Sequence, residues 1–249
     1  MKKKTATKKT VLITGANHGL GLSLTKVFLN NNYTVFAGVY NLTEDSQIQS
    51  IKDREGLYLV DMDVSDTRSV DKAAEYVGGL TESLDILINN AGILCKDSYN
   101  QKHYTIFDRL DVDSMRDVYD VNALGPLRVA NAFTPLLIKG DDKLMINISS
   151  DAASIMDCTT GDWHGYRMSK VALNMAGALV QNEYVKHGGK VWQIHPGWMQ
   201  TYMHGEKRGD AAHSSDFSAE HLYRLIQDAE SYNSDTLLFM DILGQPLPW

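Results

Sequence analysis

Several functional classes are excluded by what this chain lacks. Only two cysteines occur in 249 residues, Cys95 and Cys158, at no metal-ligand or redox spacing, so neither a disulfide scaffold nor a zinc module is encoded and a reducing, cytoplasmic setting is expected. Positive charge is scarce as well. The formal net charge is −7, whereas a nucleic-acid binder usually presents a basic face. The exception is the beginning, where Lys2, Lys3, Lys4, Lys8 and Lys9 crowd ahead of the first apolar run and leave about −12 for the remainder. Residues 1–9 read as a frayed basic tail rather than a membrane or nucleic-acid arm. The apolar stretch 10–14 is short and runs into Gly15, so no signal peptide is expected. No run approaches the length of a transmembrane helix. The eight histidines form no i, i+4 pair and have no carboxylate in register, which argues against a metal site.

What is present is an ordinary globular composition, 43% hydrophobic and 22% charged, with apolar mass for a sizeable core. Short apolar runs at 11–13, 33–39, 57–60, 84–88, 143–148, 190–194 and 237–240 read as strands. Helical spacing falls between them at 20–31, 66–77, 114–139, 166–186 and 220–229. Within 114–139 two helices are expected to meet near 122–126, ahead of Pro126. Strands alternating with helices imply parallel βαβ units with helices on both faces. With no repeat, linker or composition break, residues 10–249 form one α/β domain, a doubly wound parallel sheet of about seven strands.

The first strand runs into Gly15-Ala16-Asn17-His18-Gly19-Leu20-Gly21 and then a helix. Glycines there let the backbone turn tightly and let a pyrophosphate approach the helix N-terminus, where free N–H groups and the dipole bind anions. The spacing G-x-x-x-G-x-G departs from the general dinucleotide fingerprint. An NAD-selecting fold usually places a carboxylate at the end of the second strand to hold the ribose diol. Here that strand ends Gly38-Val39-Tyr40-Asn41, and Glu44 and Asp45 come later, where they suit the start of a helix. No arginine or lysine stands there either. Without a carboxylate to repel a 2′-phosphate, which Asn17 or His18 would touch, the reading favours NADP(H) over NAD(H).

Tyr166 and Lys170 stand four residues apart, which on a helix puts both on one face. A phenol beside a fixed ammonium is a group whose proton is movable, because positive charge favours the phenolate. Taken alone, such a pair is usually a surface feature; with a glycine loop and the serines Ser149 and Ser150 closing a strand, it points to catalysis. Asn122 admits two readings, a helix cap or kink or a functional group. Asn89 and Asn90 suit a strand closing into a turn, and His195, before Pro196-Gly197, reads as structural.

Thr14 to Gly21, Asp63-Val64, Asn89-Asn90-Ala91-Gly92, Asn122, Asn147-Ile148-Ser149-Ser150, Tyr166 to Lys170 and Pro196-Gly197, in this order and at these separations, resemble the short-chain dehydrogenase/reductase family over nearly the whole chain. The ending 241–249, with Tyr166 to Lys170, is similar to the C-factor and sniffer-type carbonyl-reductase branch. The resemblance implies an oxidoreductase of Rossmann type that moves hydride between a nicotinamide and a carbonyl or secondary alcohol. Gly15, Gly19 and Gly21, with Asn17, His18 and Leu20, would line the pyrophosphate; Asp63 and Val64 would flank the adenine; Asn89, Ala91 and Gly92 would support the cofactor and the sheet. Tyr40, Pro196 and Gly197 complete the implied cofactor-binding set. Tyr166 would be the general acid/base, and Lys170 would hold the nicotinamide ribose and lower the tyrosine pKa. Ser150, rather than Ser149, would bond the reacting oxygen, and Asn122 would position a relay water. A homodimer or homotetramer is implied, with no nucleic-acid or membrane partner.

One departure concerns the stretch between serine and tyrosine, which is longer than the family's. Residues 151–165 form an enlarged loop whose Met156, Trp163 and His164 would shape the substrate pocket, and segment 200–215 reads as a loop that closes over substrate. Two rival readings use the same fold: a nucleotide-binding sensor without turnover, against which the intact proton relay argues, and an epimerase or dehydratase that reuses the tyrosine without net cofactor consumption.

Overall fold

Apolar residues fill both sides of nearly every strand, and such strands must be covered by helices on both faces. The computed structural model, which describes residues 8–44, 46–95, 103–200, 211–232 and 235–249, has that arrangement. In chain order the elements are β1 (Thr10–Ile13), α1 (Gly19–Asn30), β2 (Thr34–Val39), β3 (Leu57–Asp61), α2 (Thr67–Gly78), β4 (Ile86–Asn89), α3 (Met115–Tyr119), α4 (Gly125–Leu137), β5 (Leu144–Ile148), α5 (His164–Tyr184), β6 (Lys190–His195), α6 (Ser215–Gln227) and β7 (Leu238–Asp241). The seven strands pair in the order β3-β2-β1-β4-β5-β6-β7, all in parallel. The order reverses between β1 and β4, and in doubly wound sheets ligands bind at that reversal, beyond the carboxyl ends of the strands.

Two buried layers follow from the alternation of side chains along each strand. Val11, Ile13, Ile86, Ile88, Ile146 and Trp192 pack against α1 and α6 through Leu24, Phe28, Leu222 and Ile226. Leu12, Phe36, Leu87, Met145 and Val191 point the other way, onto Val70 and Val77 of α2 and Val129, Phe133 and Leu137 of α4. Among the described residues no helix is long and apolar enough to cross a membrane.

Helix boundaries differ from the periodicity in three places, each for a local reason. α6 starts at Ser215 rather than 220 because the Ser214 side chain accepts from the Phe217 N–H and caps it. α5 starts at His164, two residues before Tyr166. Its Gly165 lies where an added Cβ would come within 2.5 Å of Cys95 Sγ, a packing need that hides a helix start behind a poor helix former. The expected break near Pro126 is a single π-turn, Asp120–Leu124, joining α3 to α4. Pro126 sits in the first turn of α4, where a missing N–H is tolerated. Residues 1–7 of the basic tail lie outside the described residues. Lys8 and Lys9 are held, Lys8 by Glu55 at 2.9 Å and Lys9 by Asp142 at 2.7 Å.

A row of amides crosses the sheet: Asn89 pairs with Asn147 in register, and Asn147 with Gln193. α5 covers it closely, since a Cβ on Gly177 would come within 1.6 Å of Gln193 Nε2. Overpacking of this kind costs about 1–3 kcal/mol. Gly177→Ala is therefore expected to lower thermal stability by several degrees, measured by calorimetry.

Candidate active site

The site assembles where β1, β4, β5 and β6 end. Thr14, just beyond β1, accepts through its hydroxyl from the N–H of Asn90 and of Ala91, both at 3.0 Å. The Asn90 side chain donates back to the carbonyls of Thr14 at 2.8 Å and Gly15 at 3.2 Å. Gly15 has φ +66 and Gly19 φ +57, the left-handed region that suits glycine. A Cβ on Gly21 would lie 2.3 Å from the Gly15 carbonyl oxygen, whereas one on Gly19 would meet nothing within 4 Å. The loop is thus closed on the protein side and open on the other. No side chain caps α1 at His18 and its first turn holds no acid, so its N–H groups are presented to an anion. Leu20 is buried and anchors that turn.

Asn17 grips the end of β2. Its Nδ2 donates to the Tyr40 carbonyl at 2.8 Å and its Oδ1 accepts the Tyr40 N–H at 3.1 Å, which leaves the Tyr40 side chain 61% exposed beside the loop. Beyond β3, Asp63 Oδ1 accepts the N–H and hydroxyl of Ser65 while Val64 is buried, fixing a turn whose outer side is backbone. Asn89 is buried and donates to Asn147 at 2.8 Å, so its side chain serves the sheet; Ala91 and Gly92 continue toward the reacting groups.

Asn122 is fully buried. Its Oδ1 accepts the Ile93 N–H at 2.8 Å, and its Nδ2 donates to the Ile93 carbonyl at 2.9 Å and to Ser169 Oγ at 3.1 Å. Both amide protons are used, so this side chain splices the stretch beyond β4 to α5. Its backbone is a different matter. The residue four positions on is Pro126, which has no N–H to give the Asn122 carbonyl. Arg128 fixes the π-turn, reaching Asp120 at 2.5 Å and the Val64 carbonyl at 3.2 Å.

The two serines separate cleanly. Ser149 Oγ turns into the core and donates to Asn174 at 2.7 Å; Ser150 donates to Asp151 at 2.9 Å and lies close enough to the Tyr166 hydroxyl to act on its pKa. Lys170 is buried, donates from Nζ to the Ile148 carbonyl at 2.7 Å, and places its ammonium 5.6 Å from the centre of the Tyr166 ring. Tyr166 is pushed up to about 12, first by burial and also by the Asp151 charge, with the Ser150 hydrogen bond opposing. Burial brings Lys170 down to about 8. Desolvation is the largest influence on the Tyr166 phenol in the protein's own surroundings, and it favours the protonated form.

Asp151 and His195 flank this pair and were not signalled as functional, although Asp151 directly follows Ser150. Asp151 donates its N–H to His195 Nδ1 at 3.1 Å, and burial lowers the His195 pKa. Of the expected pocket residues, Trp163 meets Tyr166 edge to face at 6.1 Å, Met156 is exposed, and His164 opens α5. Pro196 accepts from Ser218 at 2.8 Å and Gly197 has φ +80, turning the chain beyond β6. Of segment 200–215, residues 201–210 lie outside the described residues; its two ends are joined by Gln200 N–H to the His213 carbonyl at 2.9 Å.

Residues 9–212 match the family model described as short chain dehydrogenase. The chain is 33% identical over 169 residues to the C-signal protein of Myxococcus xanthus, covering 68% of this chain and 95% of that one. It is similar in structure to NADPH-bound carbonyl reductase from chicken fatty liver (30% identity, TM-score 0.83, 97% of this chain and 99% of that one). It is also similar to the carbonyl reductase Sniffer of D. melanogaster (27% identity, TM-score 0.86, 98% and 100%).

The serine geometry is directly testable. Ser150→Ala is expected to reduce kcat by about 10²–10³, the usual loss for one donor to a reacting oxygen, while Ser149→Ala retains activity within a few fold. Steady-state kinetics on the two variants checks both.

Proposed function

Because the chain belongs to the short-chain dehydrogenase family and is an NAD(P)(H)-dependent oxidoreductase, we propose that it interconverts a carbonyl compound and a secondary alcohol with Tyr166 as the general acid/base. The observation that carries this reading is the convergence on Tyr166 of a buried Lys170, its ammonium 5.6 Å from the ring centre, and of Ser150, which acts on the phenol. The bound nicotinamide supplies or accepts the hydride. In reduction, Ser150 and Tyr166 polarise the carbonyl oxygen and Tyr166 passes it a proton. Held near 12 by its surroundings, the phenol is protonated at neutral pH and ready to donate. Lys170 would hold the nicotinamide ribose and lead the proton onward to a water on the Asn122 carbonyl, which Pro126 leaves without its helical donor. These groups have no use in a sensor that only binds.

Gly15, Gly19 and Gly21 would cradle the pyrophosphate, and Asp63 and Val64 would flank the adenine. NADP(H) is preferred to NAD(H), because the end of β2 offers Tyr40 and Asn41 in place of a carboxylate, and the similar chicken carbonyl reductase is NADPH-bound. Exposed Leu124 and Leu127 at the start of α4, with Met168, Met175 and Leu179 along α5, give a face suited to a homodimer or homotetramer. Cys95 and Cys158, which are not joined in a disulfide, suit a cytoplasmic setting.

Tyr166→Phe is expected to abolish turnover while cofactor affinity stays within a few fold, measured by fluorescence titration beside kinetics; turnover near wild type would sink the acid/base role. In thermal-shift titrations NADPH is expected to bind about tenfold or more tighter than NADH, a difference of about 1.4 kcal/mol. Equal affinities would remove the argument from the end of β2.

A further inference from the structure

The carboxylate of Asp151 plays no part in the chemistry above, yet it lies against the carbonyl-binding pair. Its Oδ1 accepts the Ser150 hydroxyl at 2.9 Å and the Ala152 N–H at 2.8 Å. The side chain is 68% exposed, so it stands at the mouth of the site rather than in the core. Its ion-pair partner among the described residues is His195, whose Nδ1 is 3.6 Å away. That nitrogen already accepts the Asp151 N–H, and burial favours the neutral ring, so His195 does not cancel the charge. Lys170 is tied to the Ile148 carbonyl, and Arg167 to Thr160 and Asp162.

A serine hydroxyl has one proton to give, and here Asp151 takes it. A carbonyl oxygen bound by Ser150 and Tyr166 lies one hydrogen bond from Ser150 Oγ, as the carboxylate does. The substituent next to that carbonyl is then within about 4–6 Å of Asp151, the range in which a charge acts strongly on its neighbour. A carboxylate there is repelled. A hydroxyl or ammonium there donates to Asp151, takes over from Ser150, and releases the serine proton to the carbonyl oxygen.

We propose that Asp151 is the charge-selecting residue of the substrate site, favouring carbonyl compounds with a hydrogen-bond donor or cation beside the carbonyl and disfavouring α-keto acids. The inference rests on the oxidoreductase reading of Ser150 and Tyr166. Because serine release accompanies binding, the preference appears in kcat as well as in KM.

The test compares kcat and KM of the full chain for 2-hydroxyacetophenone, acetophenone and benzoylformate, which share one aryl ketone core. The wild type is expected to favour the hydroxyketone over benzoylformate by tenfold or more in kcat/KM, with kcat higher than for acetophenone. Asp151→Asn should shrink the hydroxyketone-to-benzoylformate ratio at least fivefold, and Asp151→Glu should keep most of it. The ratio is internal to each variant, so a change in folded fraction cancels. No preference in the wild type, or a ratio that Asp151→Asn leaves within twofold, overturns the proposal. The parent reading fails separately, if Tyr166→Phe reduces these ketones at the wild-type rate.

Discussion

The stitch between Thr14 and the Asn90-Ala91 backbone is the contact on which the site depends. β1 and β4 are neighbours in the sheet but far apart in sequence. By accepting two N–H groups, the Thr14 hydroxyl holds both exits in register. The Asn90 amide then closes the same seam from the other side. The Gly15 carbonyl, at the first left-handed position of the glycine loop, is one of the acceptors in that seam. The stretch beyond Ala91 is held in turn by Asn122, which ties it to α5 and so to Tyr166 and Lys170. The glycine loop and the Tyr166–Lys170 pair are thus one mechanical unit, joined by hydrogen bonds rather than by sequence.

Electrostatically the reacting pair sits in opposition to solvent. Burial drives tyrosine and lysine alike toward their neutral forms, since both charged states lose hydration. A nearby carboxylate adds to the first effect. The protein alone therefore prepares a proton donor rather than a phenolate, which suits carbonyl reduction. Lys170, still mostly an ammonium at neutral pH with a pKa of about 8 and 5.6 Å from the ring centre, is the positive charge closest to hand for a phenolate.

Much of this was legible in the sequence because burial leaves a periodic mark. The strands were readable since both faces of a parallel sheet need apolar residues, and Tyr166 with Lys170 was readable since a four-residue helical step is local. What escaped lies in contacts between distant segments. Asn90 looked like a turn residue because its partners, Thr14 and Gly15, are about 75 positions away. Asp151 carried no signal because its meaning comes from His195 and Tyr166, which the fold alone brings to it. The starts of α5 and α6 were hidden for a different reason: Gly165 obeys a packing constraint, and Ser214 acts through one capping bond.

The π-turn at Asp120–Leu124 fits one residue more into its turn than an α-helix would. Removing any residue from that stretch would make the helix more regular. It would also rotate everything on one side by about 100° relative to the other, carrying Asn122 away from Ile93 and separating Asp120 from Arg128. Regularity and competence are therefore opposed at this point of the chain. A shortened relative would fold with a straighter helix and still have lost the connection between its glycine loop and its tyrosine.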